Sequence, residues 1–275
     1  MNSTFKPKVS IITPVYNGAR FLDALILSVQ EQDYPDIEHI IIDDGSSDGG
    51  ATIEVLNQYP HLRWWTRPNK GQYPTMNEGL LTAKGEIVIF LSADDILLPG
   101  SVSKVITFLD THQGVDGVYG NFGYINFEGK PLKMFQPMSL MPTRLYPYSL
   151  HISHSSFYIR KNALIINDLF FIGNLKYVGD YSWITRILKA NLKIRRIKDS
   201  LSMIRIHGMQ ASKTKFLEMR KETILIQKKL GVSLILASFF RKLWFGINLI
   251  NAAKIGGIKG INAILYDRFG KKLHP

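Results

Sequence analysis

The chain has 275 residues, of which 45% are hydrophobic and 11% aromatic, enough to bury a sizeable core. This composition excludes a disordered polymer, and the absence of cysteine excludes disulfides and thiolate metal sites. The net charge of +12 is uneven: residues 1–130 carry 9 basic and 16 acidic groups, leaving 25 of the 34 basic and 6 of the 22 acidic groups for residues 131–275.

The start of the chain, "MNSTFKPKVSIITPVYN", lacks the long apolar segment of a signal peptide. "KVSIIT" (8–13) reads as a buried strand, and "RFLDALILSVQEQ" (20–32) has apolar residues at helical spacing. "IEHIIID" (37–43) predicts a second strand and 48–59 a helix, with Asp48 as its N-cap. A third strand (62–66) and helix (73–84) follow, then a fourth strand (86–92) and helix (99–112). This alternation predicts an α/β fold with a mostly parallel, Rossmann-like sheet and helices on both faces.

After residue 117 the rhythm changes. "GVYGNFGYINFEGKPL" reads as a strand and hairpin turning at Glu128-Gly129, and four prolines within 131–150 predict a long loop. Residues 179–191 predict a helix, and "KIRRI" and "LSMIRIH" two strand-like pieces. From 216 onward the pattern is helical and basic. No stretch of about 18 clean apolar residues predicts a membrane span. The reading divides the chain into 1–125, 126–215 as the other half of the same domain, and a tail, 216–275.

In open α/β sheets, ligands bind beyond the carboxyl ends of the strands. Here those ends carry Thr13-Pro14-Val15-Tyr16-Asn17, Asp43-Asp44-Gly45-Ser46-Ser47-Asp48, Arg67-Pro68-Asn69-Lys70-Gly71 and Asp94-Asp95. Acids, donors and glycines therefore gather on one edge.

These motifs, with "SHSSFYIRKNAL" (153–164) and "VGDYSWITRILKA" (178–190), resemble a family 2 glycosyltransferase of the GT-A fold. The resemblance is continuous over about 8–125 and patchy but ordered to about 210. It implies an inverting enzyme that moves a sugar from a UDP- or dTDP-sugar to a hydroxyl of a glycan or lipid-linked oligosaccharide. By that similarity Asp95 is the metal ligand for Mg2+ or Mn2+, and Asp94 positions the ribose or the ion's waters. Asp44 hydrogen-bonds the base, Pro14 and Tyr16 line its pocket, and Arg67 or Lys70 reaches the base or phosphates. Asp180 matches the catalytic base, and Tyr181 and Trp183 are expected to shield it from water. Many relatives carry a second acid two residues later, where this chain has Ser182. His154 is a candidate for the acceptor site and His207 for the metal or diphosphate; Arg205, Lys213 and Lys215 are candidates for a lid. Of Trp64 and Trp65, one is expected in the core.

The basic tail has two readings. "LILASFFRKLWFGINLI" suits a membrane interface, through Phe239, Phe240, Trp244 and Phe245 interleaved with Arg241 and Lys242, or it packs as a core or homo-oligomer element. The first places the protein in the cytoplasm, peripheral on the inner, anionic face of the cell membrane, with a polyprenyl-linked acceptor in surface-polysaccharide assembly. No nucleic-acid motif accompanies the basic half, so no nucleic-acid partner is expected. A nucleotidyltransferase, or a catalytically dead nucleotide- or membrane-binding module, is the alternative; the first would want a Gly-rich basic signature that "TPVYNGAR" matches poorly.

Overall fold

The computed structural model describes residues 8–135, 152–208, 210, 214–240, 242, 243 and 246. Four parallel strands form one side of the sheet in the order β3 (Arg63–Thr66), β2 (Ile37–Asp43), β1 (Val9–Val15) and β4 (Ile87–Phe90). All seven residues of β1 and all four of β4 are buried, as expected of strands covered on both faces. Pro14 is tolerated inside β1 because it stands two residues beyond the last β1–β4 pair, Ile12–Phe90, so its missing N–H removes no ladder bond.

The helices between these strands are α1 (Ala19–Gln30), α2 (Ala51–Asn57), α3 (Gln72–Thr82) and, after β4, α4 (Ser101–Thr111). In α1 the buried residues are Leu22, Leu25, Ile26 and Val29, and in α4 Val102, Val105, Ile106 and Leu109. Both sets follow i, i+3, i+4, i+7, which places them on one stripe facing the core. At about 1.5–3 kcal/mol per buried side chain, each stripe contributes on the order of 10 kcal/mol before chain entropy is subtracted. Helix α2 starts three residues later than expected. Asp48 still serves its N-terminus, accepting the Thr52 N–H (3.2 Å) and Oγ1–H (2.6 Å).

Beyond β4 the sheet becomes mixed. β8 (Phe157–Arg160) is antiparallel to both β4 and β6 (Gly117–Ile125), and β9 (Ile194–Arg205) is parallel to β6. β7 (Pro131–Phe135) completes the expected hairpin with β6, and Gly129 takes a positive φ of 85° at its turn. The two-residue β5 (Ile96–Leu97) pairs with β9. The two strand-like pieces expected at 193–197 and 201–207 are one continuous strand, β9, with register shifts against β6. α5 (Lys161–Ile166), α6 (Gly179–Lys189) and α7 (Phe216–Lys229) complete the elements, and residues 234–240 are also helical.

The chain divides into two compact units, one running to Thr223 without 142–150, the other holding 142–150 and everything from Ile224. In the second unit Val232 and Ala237 are buried, while Ile235 and Phe239 are exposed. Among the described residues no helix is long and apolar enough to cross a membrane. Lys213, Arg241, Trp244 and Phe245 lie outside the residues whose side chains are described.

Candidate active site

The strand order brings the carboxyl ends of β1, β2, β3 and β4 side by side. Two clusters form there.

The first is built on the turn after β2. Asp43 folds its own turn, accepting the Ser46 hydroxyl and the Thr66 Oγ1–H (2.6 Å). Asp44 is buried and reaches the β3 loop instead. It accepts the Arg67 guanidinium, the Lys70 N–H (2.8 Å) and the Gly71 N–H (2.9 Å). Arg67 is held on its other side by Glu78 (2.9 Å) and Thr75 Oγ1 (2.7 Å). Gly45 lets these two loops meet: its φ is +73°, and a Cβ there would stand 2.9 Å from the Asn69 nitrogen. The Lys70 side chain is mostly exposed. Pro14 is buried in β1, whereas Tyr16 stands exposed just past it, its hydroxyl 3.1 Å from Ser47 Oγ.

The second cluster surrounds the two acids after β4. Asp95 is buried; it accepts the Ser155 hydroxyl (2.7 Å) and the Arg205 backbone N–H (3.2 Å). Asp94 is partly open, and its carboxylate lies 3.0 Å from His207 Nε2. Burial, then the neighbouring Asp94 charge, holds the Asp95 carboxyl well above the usual carboxylate range. His207 also packs against Phe21, with ring centroids 5.1 Å apart, and its buried Nδ1 has no hydrogen-bond partner among the described residues.

His154 precedes Ser155 in a short 3-10 turn, His154–Ser156. Its Nε2 is 3.0 Å from Ser92 Oγ, and its Nδ1 is 3.8 Å from the Asp180 carboxylate. Burial lowers its pKa, opposed by the charges of Asp180 and Asp94, so the neutral ring is favoured. Asp180 lies in the first turn of α6 with about a third of its side chain exposed.

The structure therefore brings together Asp94, Asp95, His154, Asp180 and His207, and separately Asp44, Arg67 and Lys70. Two expectations are corrected. Arg205 is a buried strut rather than part of a lid: its guanidinium donates to the carbonyls of Asp94 (3.0 Å), Asn126 (3.2 Å) and Phe127 (3.0 Å). Trp183 does not shield Asp180; it is fully buried against Phe90, Phe157 and Phe171, and its indole N–H donates to the Leu169 carbonyl. Tyr181 and Ser182 are also buried, whereas Lys215 is exposed. Trp64 packs on the core, and Trp65 donates to Glu78 (2.8 Å). Reading the sequence missed Ser155, which follows His154 directly, and Glu78, which carries only the ordinary signal of a helix-surface acid.

A hard divalent ion takes oxygen ligands and accepts water and phosphate oxygens in its remaining positions. Asp94 and Asp95 offer that chemistry, and a cation would offset the burial and the Asp94 charge that together raise the Asp95 pKa. Among the described residues no cluster of three or more acidic, His or Cys side chains could hold an ion unaided. The residues fit an ion shared with a ligand, not a closed structural site.

Residues 10–177 match the sequence family described as Glycosyl transferase family 2. An uncharacterized glycosyltransferase of Rickettsia felis is 35% identical over 146 residues, 52% of this chain and 24% of that protein. A GalNAc(5)-diNAcBac-PP-undecaprenol beta-1,3-glucosyltransferase of Campylobacter jejuni is 35% identical over 138 residues, 49% of this chain and 44% of that protein. The chain thus spans less than half the length of these two relatives. Among solved structures, residues 1–349 of S. aureus TarS in complex with UDP-GlcNAc align with a TM-score of 0.64 at 20% identity, covering 94% of this chain and 81% of that one. The mannosyltransferase PcManGT from Pyrobaculum calidifontis, in complex with GDP-Man and Mn2+, aligns with a TM-score of 0.61 at 15% identity, covering 95% and 74%. The architecture is the GT-A fold that these proteins share.

Proposed function

Because the chain belongs to glycosyl transferase family 2, we propose that it moves a sugar from a UDP- or dTDP-sugar to a hydroxyl of a glycan or lipid-linked oligosaccharide, with inversion at the anomeric carbon. The observation that carries this reading is the turn at 154–155. Ser155 holds Asp95 and His154 stands beside Asp180, so one turn links two carboxylates distant in sequence.

Asp180 takes the proton of the acceptor hydroxyl as its oxygen attacks the anomeric carbon. The bond from that carbon to the diphosphate breaks on the opposite side, and the nucleoside diphosphate leaves with the bonding pair. Attack opposite to departure inverts the configuration, by the same geometric logic as in inverting glycosidases. Asp180 is suited to the task by its partial exposure, which lets an acceptor hydroxyl reach it.

The leaving diphosphate needs cationic neutralisation. Mg2+ or Mn2+ would supply it, held by Asp95 with Asp94 beside it and His207 against Asp94. Asp44 fits the base contact: a carboxylate has about four acceptor sites, and Arg67, Lys70 and Gly71 use three of them. Lys70, whose side chain is mostly exposed and whose ammonium lies 4.0 Å from Glu78, is the cation placed to reach a phosphate. Tyr16 offers an exposed ring at the mouth of the first cluster, with Pro14 behind it. His154 borders the acceptor side.

For the acceptor we favour a lipid-linked oligosaccharide at an anionic membrane surface. The +19 charge of residues 131–275 and the exposed Ile235 and Phe239 support it, as does the Campylobacter relative, whose name includes an undecaprenol-linked substrate. Screening nucleotide-sugars for hydrolysis, with and without divalent cation, tests the whole reading. Cation-dependent turnover of a UDP- or dTDP-sugar to the nucleoside diphosphate is expected; no turnover of any nucleotide-sugar, with pyrophosphate released instead from a nucleoside triphosphate and a sugar 1-phosphate, would point to nucleotidyl transfer.

A further inference from the structure

Helix α6 begins without a side-chain cap on its own N-terminal segment. The segment that leads into it, 176–178, is held by another helix. Glu222, on α7, accepts three successive backbone N–H groups: Lys176 at 2.9 Å on Oε1, and Tyr177 at 2.8 Å and Val178 at 3.0 Å on Oε2. Tyr73, on α3, is buried against the next residue, Gly179. Tyr73 fits so closely that a Cβ at Gly179 would stand 2.5 Å from its ring. Three consecutive amides leading into α6 and Asp180 are thereby held by one side chain from another helix, with Tyr73 packed against Gly179 behind them.

We propose that Glu222 is a positioning residue for the reaction: its carboxylate fixes the 176–178 segment and so sets where the Asp180 carboxylate points. The inference rests on Asp180 being the base. A carboxylate accepting three N–H groups makes charge-assisted bonds, and its negative charge suits the positive end of a helix. Asp180, the acid in the first turn of α6, accepts the Tyr181 N–H on Oδ1 at 2.7 Å and has Oδ2 3.8 Å from His154 Nδ1, while Glu222 takes the three amides before it. Misplacing a reacting group by about 1 Å can cost on the order of 10²-fold in rate.

The test is a double-mutant cycle on the full chain: Glu222→Gln, Glu222→Ala and Asp180→Asn, alone and combined. The donor is the one turned over in the hydrolysis screen, and UDP binding is followed by calorimetry. Glu222→Gln keeps an acceptor oxygen and should lower kcat about 10-fold; Glu222→Ala should lower it about 10²-fold. Donor KM and UDP affinity should stay within about twofold. In the Asp180→Asn background neither change should lower the residual rate further, because residues acting as a unit are not additive. An equal loss in both backgrounds, or wild-type kcat in the Glu222 variants beside a slow Asp180→Asn, overturns the proposal and leaves the base assignment standing. Wild-type turnover by Asp180→Asn overturns both. Should Glu222→Ala fail to fold, Glu222→Gln alone decides the cycle.

Discussion

The hydroxyl of Ser155 donates to the carboxylate of Asp95 at 2.7 Å, both groups buried. This bond ties the acid after β4 to the turn that also carries His154, and through it to the neighbourhood of Asp180. Ser155→Ala removes that donor and leaves a buried carboxylate oxygen without it, at about 1–3 kcal/mol. The expected outcome is a lowered denaturation midpoint together with at least a tenfold loss of transfer. Unchanged transfer in a stable Ser155→Ala protein would show that Asp95 does not depend on this anchor.

Asp95→Asn should separate activity from stability. Removing the charge should cost on the order of 10²-fold or more in rate, since the ion it would hold stabilises leaving-group charge. Stability should move the other way. The folded-state pKa of Asp95 is raised, so its stabilising contribution is complete at low pH and is lost as pH rises through the folded value. At pH 7 without divalent cation, Asp95→Asn should therefore melt above wild type, by about 2–4 °C for each kcal/mol relieved. A lower midpoint in chelator would contradict the strained-carboxylate account.

A buried histidine predicts acid sensitivity. His39, on β2, is fully buried beside Thr13 Oγ1 (3.1 Å), and burial, with a smaller contribution from His61, lowers its pKa to about 3. Its contribution is present above the unfolded-state pKa of about 6.5 and is lost as pH falls toward about 3, at roughly 1.4 kcal/mol per pH unit. Denaturant titrations of wild type and His39→Gln between pH 4 and 7 should show a flatter dependence in the variant. Parallel curves would assign the acid sensitivity to other groups.

For the membrane reading, the full chain should sediment with vesicles containing anionic lipid and much less with neutral ones. The bound fraction should fall with salt, because each basic residue near the surface contributes about 1 kcal/mol that screening removes. Replacing the exposed Ile235 and Phe239 by serine should remove what survives high salt. Equal binding to neutral vesicles, or none to either, would leave the basic charge to be explained by the acceptor alone.

The parallel half of the fold was legible because its strands are near-continuous apolar runs and its helices carry i, i+3, i+4 stripes. The candidate acids were legible because they sit at strand ends, where the order of elements alone predicts a binding edge. The pairings were not. Ser155–Asp95 spans 60 residues, Arg205–Asp95 spans 110 and His207–Asp94 spans 113, and each depends on β8 and β9 entering the sheet where they do. Arg205 looked like a mobile cation because a guanidinium beside a strand end reads the same whether it meets a ligand or three backbone carbonyls. Glu222 carried no signal at all: an acid within a basic helix reads as a solvated side chain until the fold places it under three amides.

The base assignment is the centre of the account, and one comparison tests it most directly. Turnover at saturating donor and UDP affinity would be measured for wild type and Asp180→Asn under the same divalent-cation concentration. The account predicts UDP affinity within about twofold of wild type and a kcat lower by roughly 10²–10⁴-fold. Normal turnover at saturation with collapsed UDP affinity would contradict it, and would make Asp180 a ligand of the donor instead.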